Sequence, residues 1–95
     1  MKILELTNQE GEKRYYSGFY CEPYICCNVI RYFVRGQYYD SVRKFDVSDI
    51  LFSSADMCVA MEKCLGYATK LSEQSDVEPE DPLFVVYFHQ METGA

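Results

Sequence analysis

The sequence has no long hydrophobic run, no glycine-rich loop and no apolar region near its first residue. No stretch reaches the roughly 18–20 consecutive apolar residues that a transmembrane helix needs. The N-terminus meets a carboxylate at Glu5, which is not typical of a signal peptide. We therefore expect a cytoplasmic protein that does not contact a membrane. The five glycines are isolated from one another, so a glycine-rich phosphate-binding loop is excluded.

Histidine is nearly absent as well, since His89 is the sole copy. Nucleophilic catalysis needs a thiol or hydroxyl, a base and a group that orients the base. Any Cys–His pair would have to use His89, which follows an aromatic and apolar run where structural or surface histidines are much commoner. We predict that the chain is not an enzyme and carries no cofactor.

Five cysteines are present, an odd number, and we expect reduced thiols that are largely buried as small apolar side chains. Structural zinc sites favour two short Cys-x2–4-Cys or histidine pairs on turns. Adjacent Cys26 and Cys27 on a strand would point to opposite faces. Cys58 and Cys64 would lie about 120° apart around a helix. The fifth cysteine is Cys21. We predict that the five cysteines form no metal site.

Basic residues are outnumbered, with nine lysines and arginines against fifteen acids and a net charge of −6. This balance opposes nonspecific attraction to nucleic acid, whose phosphates dominate its affinity for proteins. It fits a partner protein with a basic surface. With 95 residues, 48% of them hydrophobic, the chain is predicted to form a single domain over residues 1–95.

The first half of the chain reads as strands. Residues 3–7 predict a short strand, residues 8–12 a polar turn, and residues 15–20 a return strand that Pro23 ends. Residues 24–34 and 38–47, rich in aromatic and β-branched side chains, predict a hairpin around Gly36 and Gln37.

That predicted hairpin separates two sets of side chains. A core side would carry Ile30, Tyr32, Val34, Tyr39 and Phe45. The other side would carry Arg31, Phe33, Arg35, Tyr38, Asp40 and Lys44. Arginines interleaved with aromatic residues are typical of an ordinary solvated sheet face, of a protein interface and of sheet-based RNA binders. The residues themselves leave these three alternatives open.

A helix of about five turns follows. Ser53 and Asp56 resemble a capping box at its start. Apolar residues recur at spacings of three and four and predict one buried stripe: Met57, Ala60, Met61, Cys64, Leu65, Ala68 and Leu71. Glu62, Lys63, Gly66 and Lys70 are expected on the opposite side.

Residues 72–82 read as an acidic linker with two prolines and five carboxylates between Glu73 and Asp81. Residues 83–88 are apolar at both odd and even positions, so both faces of a strand there would be apolar. This pattern predicts an interior strand. The sequence therefore predicts an α+β fold. We expect a mostly antiparallel sheet of four or five strands with one long helix on one face, in the order β-β-β-β-α-β.

These features favour a protein that works by binding another macromolecule. The most concrete form is a stoichiometric inhibitor of the immunity or anti-defence (anti-CRISPR-like) type. It would occupy a basic site on its target through Asp76, Glu78, Glu80 and Asp81. The alternative is a nucleic-acid-binding module that uses Arg31, Phe33, Arg35 and Tyr38. A third interpretation is a small subunit of an assembly, including a homodimer joined along an exposed edge strand.

Overall fold

The computed structural model describes residues 1–78, 80–82 and 87, in which five β-strands precede one α-helix. The elements are β1 (Leu4–Thr7), β2 (Lys13–Tyr16), β3 (Gly18–Cys26), β4 (Val29–Asp40), β5 (Phe45–Ser54) and α1 (Met57–Ser72). The α+β class and the antiparallel pairing are confirmed. The predicted order β-β-β-β-α-β is wrong because the fifth strand comes before the helix. The strands also form two sheets rather than one.

The strand predicted over residues 83–88 lies outside the described residues except at Tyr87. The Tyr87 backbone is helical, and its side chain is buried. Its hydroxyl donates to Ser17 Oγ at 2.9 Å. Tyr87 therefore closes the core near the start of β3.

The smaller sheet is the β1–β2 hairpin, in which Leu4 pairs with Tyr16 and Thr7 with Lys13. Asn8 forms the turn, since its Oδ1 accepts the amides of Glu10 at 3.0 Å and Glu12 at 2.9 Å. An asparagine side chain that binds its own backbone in this way stabilises a turn locally. The predicted turn over residues 8–12 is confirmed.

The larger sheet has the order β3-β4-β5, and the turn between β3 and β4 lies at Cys27 and Asn28. Both residues have positive φ angles, 52° and 64°, as a type I′ hairpin turn requires. The predicted turn at Gly36 and Gln37 is therefore wrong. Gly36 instead stays inside β4, where the ring of Tyr16 lies against its backbone.

A second correction follows from the loop over residues 41–44, which interrupts the strand predicted over residues 38–47. Asp40 is buried, and its Oδ1 accepts the amides of Val42 at 2.9 Å and Arg43 at 3.0 Å. Lys44 has a φ of 63° and donates its amide to the Asp40 carbonyl at 2.7 Å. The chain turns back here because Asp40 satisfies the loop amides.

Helix α1 starts three residues later than the predicted capping box. Its N-cap is Asp56, whose Oδ1 accepts the amides of Cys58 at 2.8 Å and Val59 at 3.3 Å. Ser54 rather than Ser53 assists by accepting the Asp56 amide on its Oγ at 3.0 Å. The negative charge of an aspartate at this position also interacts favourably with the positive N-terminal end of the helix dipole.

The helix packs on one face of the larger sheet, here called the inner face. Ala60 is fully buried, and the ring of Tyr67 stacks on Phe19 with centroids 5.4 Å apart. Lys63 Nζ lies 5.8 Å from the centroid of the Phe52 ring, so a residue expected on the solvent side contacts the sheet. Within the predicted stripe, Ala60, Cys64 and Leu71 are buried or half-buried. Four members are exposed: Met57, Met61, Leu65 and Ala68.

The hydrophobic core lies where the β1–β2 hairpin meets the far end of the larger sheet. Its buried members are Ile3, Tyr16, Tyr38, Val77 and Tyr87. The rings of Tyr16 and Tyr38 meet edge to face with centroids 6.0 Å apart. The inner face is thus covered by α1 at its centre and by this tyrosine-rich core at one end.

Candidate functional site

The predicted arginine and aromatic surface is only partly assembled. Arg31, Phe33 and Arg35 alternate along β4 and lie on the outer face, away from α1. Tyr38 has the other parity and is buried in the core. The prediction placed Tyr38 with the arginines because it put a turn at Gly36. In a continuous strand, residues 35 and 38 point to opposite faces.

The outer face is also less cationic than its composition suggests. Arg35 Nε lies 2.6 Å from Glu22 Oε1, and its guanidinium stacks 5.9 Å from the centroid of Phe33. Arg31 donates to Ser53 Oγ at 3.3 Å and is exposed. The ring of Tyr24 lies 5.5 Å from that of Phe33. One of the two arginines is therefore neutralised on the surface itself.

The four predicted acidic residues lie on a segment that is tied to the start of the chain. Val77 is buried, and its amide donates to the Met1 carbonyl at 2.6 Å. Asp76, Glu78 and Glu80 are exposed, whereas Asp81 is half-buried and donates its amide to the Glu78 carbonyl at 2.9 Å. The acidic linker is therefore held on the surface by backbone hydrogen bonds.

An acidic cavity of about 240 Å³ lies between this linker and the β1–β2 hairpin. It is lined by Ile3, Glu5, Tyr15, Gln74, Ser75, Asp76, Val77 and Asp81. A hydrogen bond to Glu5, with partial burial, raises the pKa of Tyr15 above its usual value. Glu5 was not among the predicted site residues, although its alternation with Leu4 and Leu6 already indicates an exposed strand position.

A buried polar network, also missed, joins the two sheets around Asp49. Asp49 Oδ2 accepts a hydrogen bond from the Tyr16 hydroxyl at 2.8 Å and one from the side-chain amide of Asn8 (Nδ2) at 3.3 Å. Arg14 Nε lies 3.0 Å from the same oxygen, and its guanidinium sits 4.7 Å above the ring of Tyr38. These partners are separated by up to 41 residues, so no local pattern indicates them.

The network changes the acidity of its tyrosines. Burial, followed by the hydrogen bond and charge of Asp49, raises the pKa of Tyr16 far above its usual value. Burial, followed by the charge of Asp49, raises the pKa of Tyr38 as well, although Arg14 opposes the shift. Both groups therefore stay protonated in the folded protein at pH values where the unfolded chain begins to ionise.

We expect this difference to destabilise the protein above about pH 10. There the unfolded chain loses tyrosine protons that the folded chain keeps. The free energy of unfolding should then fall by about 1.4 kcal/mol per pH unit for each such tyrosine. The Tyr16→Phe variant should lose about 1 kcal/mol near pH 7 through the missing bond to Asp49. Its stability should fall less steeply with rising pH.

Urea unfolding followed from pH 8 to about pH 11 would measure both effects. The Tyr24→Phe variant, altered at an exposed ring, is the matched control. Parallel pH profiles for the parent and Tyr16→Phe would contradict the assignment of Tyr16 to this network.

All five cysteines are free, but the expectation that they are largely buried is wrong. Cys26, Cys27 and Cys58 are exposed, and the Sγ atoms of Cys26 and Cys27 lie 3.8 Å apart at the hairpin turn. Cys64 is half-buried, which raises the pKa of its thiol. Within the described ranges, no three histidine, cysteine or acidic side chains form a group suited to a metal ion. His89 lies outside those ranges.

No helix in the part of the chain that the structure describes has the length and apolar character to span a bilayer. Comparison with protein-family models, with curated proteins and with solved structures gives no match.

Proposed function

We propose that this chain is a non-enzymatic protein-binding module that inhibits a target stoichiometrically by occupying a basic site, in the manner of immunity or anti-defence (anti-CRISPR-like) proteins. The acidic cavity carries this proposal. Its lining combines the apolar residues Ile3 and Val77 with the acidic residues Glu5, Asp76 and Asp81. Glu78 and Glu80 are exposed on the same linker.

The shape and chemistry of the cavity suit a lysine or arginine side chain of the target. Such a side chain places its apolar stem along hydrophobic surface and keeps its charged tip near polar groups. Exposed carboxylates around the cavity would accelerate encounter with a basic surface and orient it. The backbone bonds between Val77 and Met1 hold the linker in advance, which lowers the entropy lost on binding.

A nucleic-acid-binding module remains the alternative, supported by the alignment of Arg31, Phe33 and Arg35 on the outer face. Stacking aromatic residues beside arginines suit single-stranded nucleic acid. The ion pair between Arg35 and Glu22 and the net charge of −6 count against this alternative. Tyr38 no longer belongs to the proposed surface.

Charge-neutral variants separate the two proposals. The first variant replaces Asp76, Glu78, Glu80 and Asp81 by their amides. A matched control replaces four exposed acids outside the linker in the same way: Glu10, Asp46, Asp56 and Glu62. The Arg31→Ala, Arg35→Ala double variant tests the outer face. We expect the first variant alone to lose target capture from the native cell, measured by mass spectrometry, because both amide variants carry the same net charge.

Direct probes make the result independent of the target's identity. A decalysine peptide and a single-stranded oligonucleotide of similar length should be titrated at about 50 and 200 mM salt, since salt weakens both kinds of contact. We expect the peptide to bind the control variant more tightly than the linker variant. Equal binding to both would overturn the proposal. Tight oligonucleotide binding that the arginine variant abolishes would establish the alternative.

A further inference from the structure

A second surface stands apart from the acidic cavity, on the side of α1 that faces β3. Met57, Met61, Leu65 and Ala68 follow one another at spacings of four, four and three residues, which places them along one side of a helix. We call these four residues the α1 flank. Their exposure is high, with Met61 55% and Leu65 67% accessible to solvent. The apolar stripe predicted from the sequence is therefore wider than the part of α1 that the sheet covers.

The apolar surface continues from the α1 flank onto the sheet. Two adjoining depressions of about 240 and 220 Å³ lie between the flank and β3, with Cys21, Pro23 and Tyr32 on the sheet side. Beyond the first turn of α1, the inner face of the hairpin carries Ile25, 69% exposed, and Ile30, which pairs with it. Exposed apolar residues thus continue from α1 towards the hairpin turn.

The size of this surface points to a macromolecular interface. Residues of this size expose on the order of 150–200 Å² when free, a little less than aromatic residues. Together, five side chains of the surface leave about 500 Å² of apolar area in water: Met57, Met61, Leu65, Ile25 and Ile30. This area is more than half of the roughly 800 Å² per partner of a standard stable interface.

We propose that a second copy of this chain covers the surface, with the two α1 helices packed antiparallel about a two-fold axis. The axis would lie between Met61 and Leu65, so that each contacts the other residue of the second copy. The same geometry places Met57 opposite the small Ala68. A two-fold interface needs a patch that is complementary to itself. Here Met61 and Leu65 would pack against each other near the axis, and the small Ala68 would leave room for Met57 of the second copy.

The charges at the two ends of the α1 flank agree with an antiparallel arrangement. The start of α1 carries Asp56. Its end carries Lys70, and Lys2 Nζ donates to the Ser72 carbonyl there at 2.6 Å. Antiparallel packing places Asp56 of each copy near Lys2 and Lys70 of the other, with the C-cap Glu73 offsetting part of that charge, and it also opposes the two helix dipoles favourably.

Helix packing is favoured over a dimer joined along β3, an edge-strand pairing of the kind that the sequence suggested. Strand β3 is an edge of the larger sheet. Cys26 and Val29 flank the two-residue turn and form a hydrogen-bonded pair. Hydrogen-bonded and non-hydrogen-bonded pairs alternate along the strands, so Pro23 belongs to a non-hydrogen-bonded pair and its backbone nitrogen points away from β4. Proline has no N–H to donate, and a proline in mid-edge opposes the addition of a strand.

Sedimentation equilibrium between about 5 and 500 µM chain tests the proposal. We expect the parent to reach twice its 11.1 kDa mass. The Leu65→Glu variant should raise the dissociation constant by roughly tenfold or more, because it buries a charge without a partner. The control is Val59→Glu, since Val59 is an apolar residue of the same helix, 44% exposed, outside the α1 flank. It should dimerise as the parent does.

A double-mutant cycle tests the orientation. Asp56→Asn, which keeps an N-cap side chain, and Lys70→Gln should each weaken the dimer, and the double variant should lose less than the sum of the two. A folded parent that stays monomeric throughout would overturn the proposal and assign the surface to a different protein. Equal weakening by Leu65→Glu and Val59→Glu would overturn it as well. Neither result bears on the acidic cavity, which lies elsewhere on the molecule.

Discussion

Replacing Ala60 by aspartate is expected to unfold the protein, whereas the same replacement at the neighbouring Met61 leaves it folded. Ala60 has no solvent exposure and lies where α1 meets the sheet, while Met61 is 55% exposed on the α1 flank. An unpaired carboxylate forced into the interior costs several kcal/mol, comparable with the whole stability of a domain of this size. At Met61 the same carboxylate stays in water.

Circular dichroism melting curves would compare the two variants at a few µM, where the proposed dimer is dissociated. We expect no cooperative transition for Ala60→Asp and a melting temperature within a few degrees of the parent for Met61→Asp. The reverse order would mean that α1 is rotated about its axis relative to this structure. The test separates two adjacent positions that helical periodicity alone assigned to the same buried stripe.

Replacing Gly36 by valine is expected to destabilise the protein by about 3 kcal/mol or more. A Cβ atom at this position would lie 2.7 Å from Tyr16 Cδ1 and 2.9 Å from Leu51 Cδ1. Tyr16 is buried between the sheets and bonded to Asp49, so its ring has little freedom to move aside. The two further methyl groups of valine increase the overlap.

A substitution at Gly66 is the control, because its expected change in the free energy of unfolding has the opposite sign. It lies inside α1, and a Cβ there would meet nothing within 4 Å. The Gly66→Ala variant should therefore gain up to about 1 kcal/mol from the higher helix propensity of alanine. Urea unfolding of both variants measures the two changes. A Gly36→Val variant as stable as the parent would place Gly36 at a turn, as the sequence first indicated, rather than beneath Tyr16.

Features that depend on neighbouring residues were predicted well. The strand β1, the turn at Asn8, the helix α1 after the strands and the exposure of Asp76, Glu78 and Glu80 all follow from local signals. The turn at Asn8 and the start of α1 are stabilised by hydrogen bonds between residues a few positions apart. The Asn8 turn could be read from the side chain that makes it, whereas the predicted N-cap was three residues too early.

The hairpin turn shows why other features could not be predicted. A glycine flanked by two strand-like segments usually indicates a turn, whereas Cys27 and Asn28 carry a weaker signal. What keeps Gly36 within β4 is the ring of Tyr16, which comes from another strand. One displaced turn then moved Tyr38 from the expected binding surface into the core, because strand residues alternate between faces.

By itself the sequence determined the α+β class, the positions of the acidic linker and the helix, and the excess of negative charge. Hydrogen bonds within a few residues and side-chain periodicity produce these features, and both are written along the chain. Only the tertiary structure decided which side of α1 is buried, that Glu5 joins Asp76 and Asp81 around one cavity, and that Glu22 neutralises Arg35. Those outcomes depend on contacts between distant segments, whose relative placement is set by packing the whole core.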